Sequence, residues 1–227
     1  MDAQFEEQYI VDGWRLIVLA DMLRGLSGRT EKFALPDDFF AAITEIPMVL
    51  ETIDENGNLT RAEIQGYKKL RNNMFYGNAY LTRVYFPEGV TSIGDRAFHG
   101  CTQLALTSLP ESVTSIGDRA FYGCTQLALT SLPEGVTTIW PNAFYKCTNL
   151  ALTSLPEGLT DIGTLAFYGC TSLKEITFKG TPRSIDKKAF ASCSNLETIH
   201  VPWAEGAVKN APWGATKATI HYNYTGD

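Results

Sequence analysis

Histidine is scarce in this chain of 227 residues, which contains only three, His99, His200 and His221. Three scattered imidazoles are too few for most metal centres and for nucleophilic catalysis, in which a histidine usually activates the reacting group. No serine, cysteine or carboxylate stands outside the repeated pattern together with a histidine that could activate it. The sequence therefore predicts a protein that is not an enzyme and that needs no cofactor or metal.

The chain also lacks an excess of positive charge and a long hydrophobic run. Its 19 Lys and Arg residues face 25 Asp and Glu residues, so the electrostatic attraction that drives most nucleic-acid binding is missing. The longest apolar stretch, 16–20 beside Trp14, is far shorter than the ~20 residues that span a bilayer, and the N-terminus is acidic, unlike a signal peptide. We therefore expect neither nucleic-acid binding nor membrane insertion.

The dominant feature that is present is an internal repeat of 23 residues. The first two of the five full copies differ at only three positions, and a divergent copy precedes them at 63–85. A fixed period of this length is typical of solenoids, in which each repeat forms one coil and neighbouring coils share a core. The five full copies occupy 86–108, 109–131, 132–154, 155–177 and 178–200.

Equivalent positions of the repeats indicate which side chains face the interior. Columns of isoleucine, phenylalanine and leucine begin at Ile93, Phe98 and Leu104 and recur in every full copy, which predicts continuous buried ladders. Each copy offers one short strand, as in 173–178, and the proline after most of these strands ends it. The strands of stacked coils predict a parallel sheet on one face, and the Asp-Arg-Ala-Phe-Tyr-Gly-Cys segment predicts a short helical or 3₁₀ turn.

The motif Ile-Gly-x-x-Ala-Phe-x-Gly-Cys-x-x-Leu, closed by Leu-Pro-Glu-Gly-Val, resembles the BspA-like class of bacterial leucine-rich repeats over residues 63–200. We therefore expect an α/β repeat protein, a right-handed leucine-rich repeat solenoid with 23-residue repeats. For function, the resemblance implies adhesion and surface recognition only in general terms, with a protein or a cell-surface glycan as the partner.

The five cysteines recur at the same position of every full copy. Equivalent side chains in stacked coils project in parallel, whereas a disulfide needs two converging Cβ atoms. We therefore interpret the column as buried free thiols rather than as disulfide or metal chemistry. The column consists of Cys101, Cys124, Cys147, Cys170 and Cys193.

Residues 1–47 show no trace of the repeat, and we interpret them as a small N-terminal helical module. Apolar residues surround most of a helix over Val11–Leu26, and a second helix is expected from Pro36 to Ile46. Because the first helix needs cover on more than one side, this module is where we expect a homo-oligomer or a contact with a virion partner.

The segments that flank the full repeats are predicted to be caps. Asn56-Gly57 between two β-prone runs predicts a hairpin, so residues 48–85 are interpreted as a β-hairpin and a degenerate capping repeat before the five repeats at 86–200. Residues 201–227 are predicted to form a C-terminal cap, in which Trp203 and Trp213 close the open end of the core.

Both ends of the chain resemble segments of phage proteins. The runs LADMLR at 19–24 and GRTEKF at 28–33, and the runs VPWAEGAV at 201–208 and APWGAT at 211–216, are similar to segments of tail and other virion proteins of phages that infect gut-type Gram-positive bacteria. The resemblance implies a tail-associated virion protein that contacts the host surface and other virion proteins. Two alternatives are a structural spacer of the virion and a bacterial BspA-like cell-surface adhesin. The lack of a secretion signal favours the virion over the adhesin.

One candidate binding surface is an aromatic column that directly follows the buried phenylalanines. A turn at this point is expected to direct the column outward as a ladder that binds a protein or a glycan. The alternative is that the rings only stack on one another and bind nothing. The column consists of Tyr76, His99, Tyr122, Tyr145 and Tyr168.

The second candidate surface lies on the predicted sheet. A normal strand register would expose Leu106, Leu129 and Leu152 as an apolar strip on the concave face. The alternative is a local bulge that turns these leucines inward and exposes the threonines that follow them, Thr107, Thr130 and Thr153.

Overall fold

The computed structural model describes residues 8–11, 14–16 and 48–226, and all regular elements in these residues are β-strands. This part of the chain contains no helix that is long and apolar enough to cross a membrane. The chain divides into two compact units, the first formed by Met1–Tyr67 and Arg83–Pro87 and the second by Lys68–Thr82 and Glu88–Asp227.

The first unit contains one sheet of five strands, namely β1 (Gln8–Val11), β2 (Trp14–Leu16), β3 (Met48–Ile53), β4 (Leu59–Gln65) and β5 (Arg83–Tyr85). The strands lie in the order β2-β1-β3-β4-β5, with β4 and β5 parallel and the other pairs antiparallel. The hairpin that Asn56-Gly57 predicts is present between β3 and β4. The Asp54 carboxylate stabilises its turn by accepting bonds of 2.9 Å from the N–H groups of Asn56 and Asn58.

The helix predicted over Val11–Leu26 is wrong for its first residues. Val11 ends β1, and Trp14–Leu16 form β2, which pairs antiparallel with β1. The prediction relied on apolar periodicity and gave no weight to Asp12-Gly13, a dipeptide typical of two-residue hairpin turns. Pairing of β1 with β3 supplies the backbone hydrogen bonds that a helix would have made internally. The remainder of both predicted helices, residues 17–47, lies outside the described residues.

The second unit contains two parallel sheets, where the sequence predicts one. The first sheet is built from two-residue strands that end on the isoleucine column, and the second from the strands that follow the leucine column. The first sheet comprises β6 (Ser92–Ile93), β7 (Ser115–Ile116), β8 (Thr138–Ile139), β10 (Asp161–Ile162) and β12 (Ser184–Ile185). The second comprises β9 (Ser154–Leu155), β11 (Glu175–Phe178), β13 (Thr198–His200) and β14 (Thr219–His221).

Each coil pairs with the next in the register that the 23-residue period predicts. Within the first sheet, Ile93 pairs with Ile116, which pairs with Ile139, and the same pairing continues to the last strand. This register confirms the leucine-rich repeat solenoid with 23-residue repeats. The predicted strand after the leucine column is absent, however, from the segments that follow Leu104 and Leu127.

The predicted helical turn of each coil is a series of tight turns instead. Along this segment the N–H groups alternate between acceptors in the next coil and acceptors in the same coil. Phe98 donates to the Ala120 carbonyl of the next coil at 2.8 Å, whereas Ala97 donates to the Gly94 carbonyl of its own coil. An α-helix needs every N–H directed along its own axis. Arg96 also has φ of 55°, and the equivalent residues of the next three coils have φ of 51–56°, a conformation that breaks a right-handed helix. The helical half of the α/β prediction is therefore wrong for the described part of the chain.

The predicted core ladders are present in the second unit. The isoleucine, alanine, phenylalanine, cysteine and leucine columns are buried in every full copy. The phenylalanine rings stack, with centroids 5.0–5.6 Å apart from Phe75 to Phe190. A ring packed on both faces by the same ring of the adjacent coils loses contacts on two sides when it is truncated.

The last coil is closed by two tryptophans. Trp213 is fully buried and Trp203 nearly so, and both rings contact Phe178, with centroids 5.9 and 5.3 Å away. The Phe190 N–H, which has no further repeat to bond with, donates to the carbonyl of Trp213 at 2.9 Å. The final residues thus supply a hydrogen-bond partner to the backbone of the last coil and also cover its apolar core.

The five cysteines are free and buried. Each thiol donates to the carbonyl of the phenylalanine 26 residues earlier, with Sγ–O distances of 3.0–3.1 Å. Burial raises the pKa of Cys101 and Cys193 to about 12, and it also raises the pKa of the three central thiols well above the usual value. The structure confirms the interpretation of this column as packing residues.

The buried thiols are expected to be inert toward thiol reagents in the native protein. Only the thiolate reacts, and the raised pKa leaves almost none of it at about pH 8. Titration with a coloured disulfide reagent should detect no fast-reacting thiol in the native chain and five in denaturant. Fast reaction of three or more thiols before denaturation would contradict the packing role.

Candidate recognition surface

The aromatic column forms a continuous ladder on the second unit, called the aromatic ladder below. Neighbouring rings lie nearly parallel, with centroids 4.5–4.7 Å apart and interplanar angles of 3–20°. Its members are Tyr76, His99, Tyr122, Tyr145 and Tyr168. The structure thus confirms mutual stacking, and ligand binding by the ladder stays a prediction.

Backbone hydrogen bonds between coils set the spacing of the ladder. The residue after each ring donates its N–H to the carbonyl of the ring residue in the next coil; Gly100, for example, donates to Tyr122 at 2.7 Å. These bonds keep adjacent coils near the spacing of paired strands, about 4.8 Å, which is also a suitable distance for stacked rings. The residue after the ring has positive φ in each of these coils, which explains the glycines at 77, 100 and 123.

Between its two ends the ladder presents ring edges rather than ring faces. Tyr76, at the first end, is 57% exposed, and the other four members are half-buried. Three rings, those of His99, Tyr122 and Tyr145, are stacked on both faces. Beyond Tyr168 the equivalent position is Ala191, so the ladder ends within the repeats.

Charge and solvation alter two titratable members of the ladder. Desolvation lowers the pKa of His99, and the positive charges of Arg96 and Arg119 lower it further. Desolvation raises the pKa of Tyr145, and the neighbouring Tyr122 and Tyr168 contribute in the same direction. Both shifts favour the uncharged form of these two side chains.

The apolar strip predicted from the three leucines is wrong. Leu129 and Leu152 are fully buried, and Leu106 is half-buried. The N–H of Ala151 donates to the carbonyl of Leu129 at 3.1 Å, and Ala128 makes the same bond to Leu106 at 2.9 Å. Leu129 and Leu152 therefore point into the core, and the three leucines form no exposed apolar strip.

The side-chain directions given by the alternative interpretation are confirmed for this segment. Thr107, Thr130 and Thr153 are exposed. One copy later a regular strand, β11, is present, in which Glu175 is exposed and Ile176 is buried. The sheet segments therefore offer threonine and glutamate side chains to solvent at these positions.

A groove in the second unit was missed by the sequence analysis. It has a volume of about 370 Å³ and lies beside β8, β10 and β12. Trp140, whose side chain is half exposed, lines it together with Asp161, Thr164, Asp186 and Asn210. The available signal was Trp140-Pro141, which replaces the Gly-Asp pair of the first two full copies. No three His, Cys, Asp or Glu side chains come together as a metal site in the described residues.

The repeats define the family. A family model described as the BspA type leucine rich repeat region matches six copies across residues 58–203, which is more than half of the chain. The chain therefore belongs to the BspA-type leucine-rich repeat family, as the sequence motif indicates.

Solved structures from several bacteria resemble this chain. A leucine-rich repeat protein from Eubacterium ventriosum ATCC 27560 is 25% identical, with a TM-score of 0.50; the match covers 68% of this chain and 41% of that protein. The leucine rich repeat protein of T. pallidum is also 25% identical, with a TM-score of 0.49 and coverage of 77% and 78%. A leucine rich cell surface protein from Faecalibacterium prausnitzii A2-165 is 24% identical, with a TM-score of 0.33 and coverage of 74% and 60%. No curated protein sequence matches this chain. None of the proteins named here is a phage protein, so the virion hypothesis stays a prediction.

The lowered pKa of His99 predicts a measurable loss of stability in acid. Because the folded state disfavours protonation, the contribution of His99 is complete above the unfolded-state pKa of about 6.5 and falls as the pH drops through that value toward the lower folded-state pKa. His99→Tyr restores the residue found in the other ladder positions and removes this proton uptake. Urea unfolding between about pH 7 and pH 5 should therefore show a smaller acid loss of unfolding free energy in the variant. His200 and His221 are common to both proteins, and equal pH slopes would contradict the assignment.

Proposed function

We propose that this chain is a non-catalytic recognition module that binds a protein partner through the aromatic ladder. The observation that carries the proposal is a row of five stacked aromatic side chains whose edges reach solvent along successive coils. Membership of the BspA-type family supports a recognition role in general.

The geometry of stacking favours a protein over a glycan as the partner of the ladder. Sugars pack their C–H faces against a free aromatic face, and both faces of Tyr122 and Tyr145 are covered by neighbouring rings. Ring edges and phenol hydroxyls remain, and these groups are abundant in protein interfaces. Stacking already restricts the rotamers of the rings. The ladder side chains therefore lose little conformational entropy when a partner binds.

The family match favours the bacterial cell surface as the place where the module acts, in which case the chain is an adhesin. The virion setting rests on the resemblance of the two terminal segments, of which the N-terminal runs at 19–24 and 28–33 lie outside the described residues. Self-association through residues 1–47 stays a prediction. A purely structural spacer would have no use for an exposed aromatic row, so the ladder argues against that alternative.

The ladder can be tested with two variants of three tyrosines. The triple Tyr→Ser variant at 122, 145 and 168 removes rings, and the triple Tyr→Phe variant keeps stacking but removes hydroxyl groups. Adhesion of protein-coated beads to epithelial cells and to Gram-positive bacteria is the measurement. We expect the serine variant to reduce adhesion at least tenfold, a loss of about 1.4 kcal/mol or more, and the phenylalanine variant to reduce it less.

The control is a triple Thr→Ala variant at the exposed residues Thr107, Thr130 and Thr153, which should bind as the unmodified chain does. Protease treatment of the cells should abolish adhesion, and periodate oxidation of their glycans should not. Adhesion that is unchanged in the serine variant, or that is sensitive to periodate alone, would contradict a protein-binding ladder. Adhesion to the bacteria but not to the epithelial cells would favour the virion setting over the adhesin.

A further inference from the structure

From its side chains we infer that the groove beside Trp140 is a second binding site, which takes a neutral sugar residue of a glycan. All of its lining residues belong to the second unit, and none is a member of the aromatic ladder. The inference is therefore independent of the protein-binding role proposed above.

Trp140 occupies a position at which three other coils leave no room for a side chain. A Cβ atom placed on Gly94, Gly117 or Gly163 would lie 2.4–2.6 Å from an atom of the preceding coil. Trp140 nevertheless places the largest side chain there and leaves half of it exposed. The repeat itself does not require an exposed indole at this position, and the exposed indole lines the groove.

The repeat also breaks at the next residue. In the two preceding coils, Asp95 and Asp118 donate their N–H groups to a side-chain oxygen one coil earlier, Asp118 to the Asp95 carboxylate at 2.9 Å. Pro141 has no N–H, so this ladder of bonds cannot continue through it. The groove begins at Trp140 and Pro141 and extends over the following two coils.

The two carboxylates of the groove accept hydrogen bonds from neighbouring groups. Asp186 accepts bonds from the Thr164 hydroxyl at 3.1 Å and from the Lys188 N–H at 2.9 Å. Asp161 accepts a bond of 2.7 Å from the Arg183 guanidinium. Each carboxylate oxygen has two lone pairs, so both groups keep acceptor sites for a ligand hydroxyl. Preorganised polar groups beside an apolar surface are typical of small-ligand sites, and ~300–1,000 Å³ is the usual volume.

These groups match the two sides of a pyranose ring. The axial C–H groups of a sugar form an apolar face that packs on an indole, and its equatorial hydroxyls donate in pairs to carboxylate oxygens. A quaternary ammonium ion would also pack on Trp140, through a cation–π contact. The guanidinium on Asp161 opposes a cation, however. A quaternary ammonium ion also has no hydrogen-bond donor for the acceptor sites that both carboxylates keep, whereas a sugar hydroxyl has one, which favours the neutral sugar.

The test is binding of the full chain to an array of neutral and acidic glycans, with immobilised choline as the cationic probe. Trp140→Gly installs the residue of the equivalent coils and is expected to fold. Asp186→Asn retains the shape of the side chain but weakens its acceptor. We expect neutral glycans to bind, with at least tenfold weaker binding for Trp140→Gly and a smaller loss for Asp186→Asn.

The triple Tyr→Phe ladder variant is the matched control and should bind the same glycans unchanged, so the failure of either site is distinguishable from failure of the other. Circular dichroism establishes that each variant retains the fold. Absence of glycan binding, binding of choline only, or glycan binding that Trp140→Gly leaves unchanged would each overturn the assignment.

Discussion

The structure depends on hydrogen bonds that run from one coil to the next. Alternate N–H groups of each coil, such as those of Arg96, Phe98 and Gly100, donate to carbonyls 22 residues further on, at 2.7–2.8 Å. Because these N–H groups find their acceptors in the next coil, the turn segments cannot become helices. No coil can form all of its backbone hydrogen bonds alone. The buried phenylalanine and cysteine ladders follow from the same constraint, since it holds identical side chains at stacking distance.

The same constraint turns surface residues into arrays. A side chain that points outward in one coil is repeated at nearly the same spacing in the next, which is how five separate aromatic residues become one ladder. A departure from the repeat is correspondingly informative. Trp140-Pro141 interrupts both a glycine column and a ladder of side-chain hydrogen bonds, and the groove opens at that point. Repetition and its interruption thus produce two kinds of surface, the aromatic ladder and the groove.

The sequence predicts those parts of the fold in which a residue packs against the same residue type of the adjacent repeat. The isoleucine, phenylalanine and cysteine columns could be recognised as core because each position is repeated with the same residue type. Leu129 was harder, because the LALTS segment that contains it does not form the regular strand that the repeat predicts, and periodicity does not encode that departure. β2 was missed because its pairing with β1 outweighed an apolar pattern that also suits a helix. The groove requires three coils to be placed side by side, so no single copy of the motif reveals it.

Deletion of residues 109–131 is the most direct test of coil-to-coil pairing as the source of the fold. The deletion joins two copies in register, so the account predicts a chain that keeps its β-sheet circular dichroism and unfolds cooperatively in urea, at a lower midpoint than the full chain. A deletion of about half a copy shifts the register and should abolish cooperative unfolding. An unfolded 23-residue deletion, or a half-copy deletion that unfolds as cooperatively as the full chain, would contradict the account.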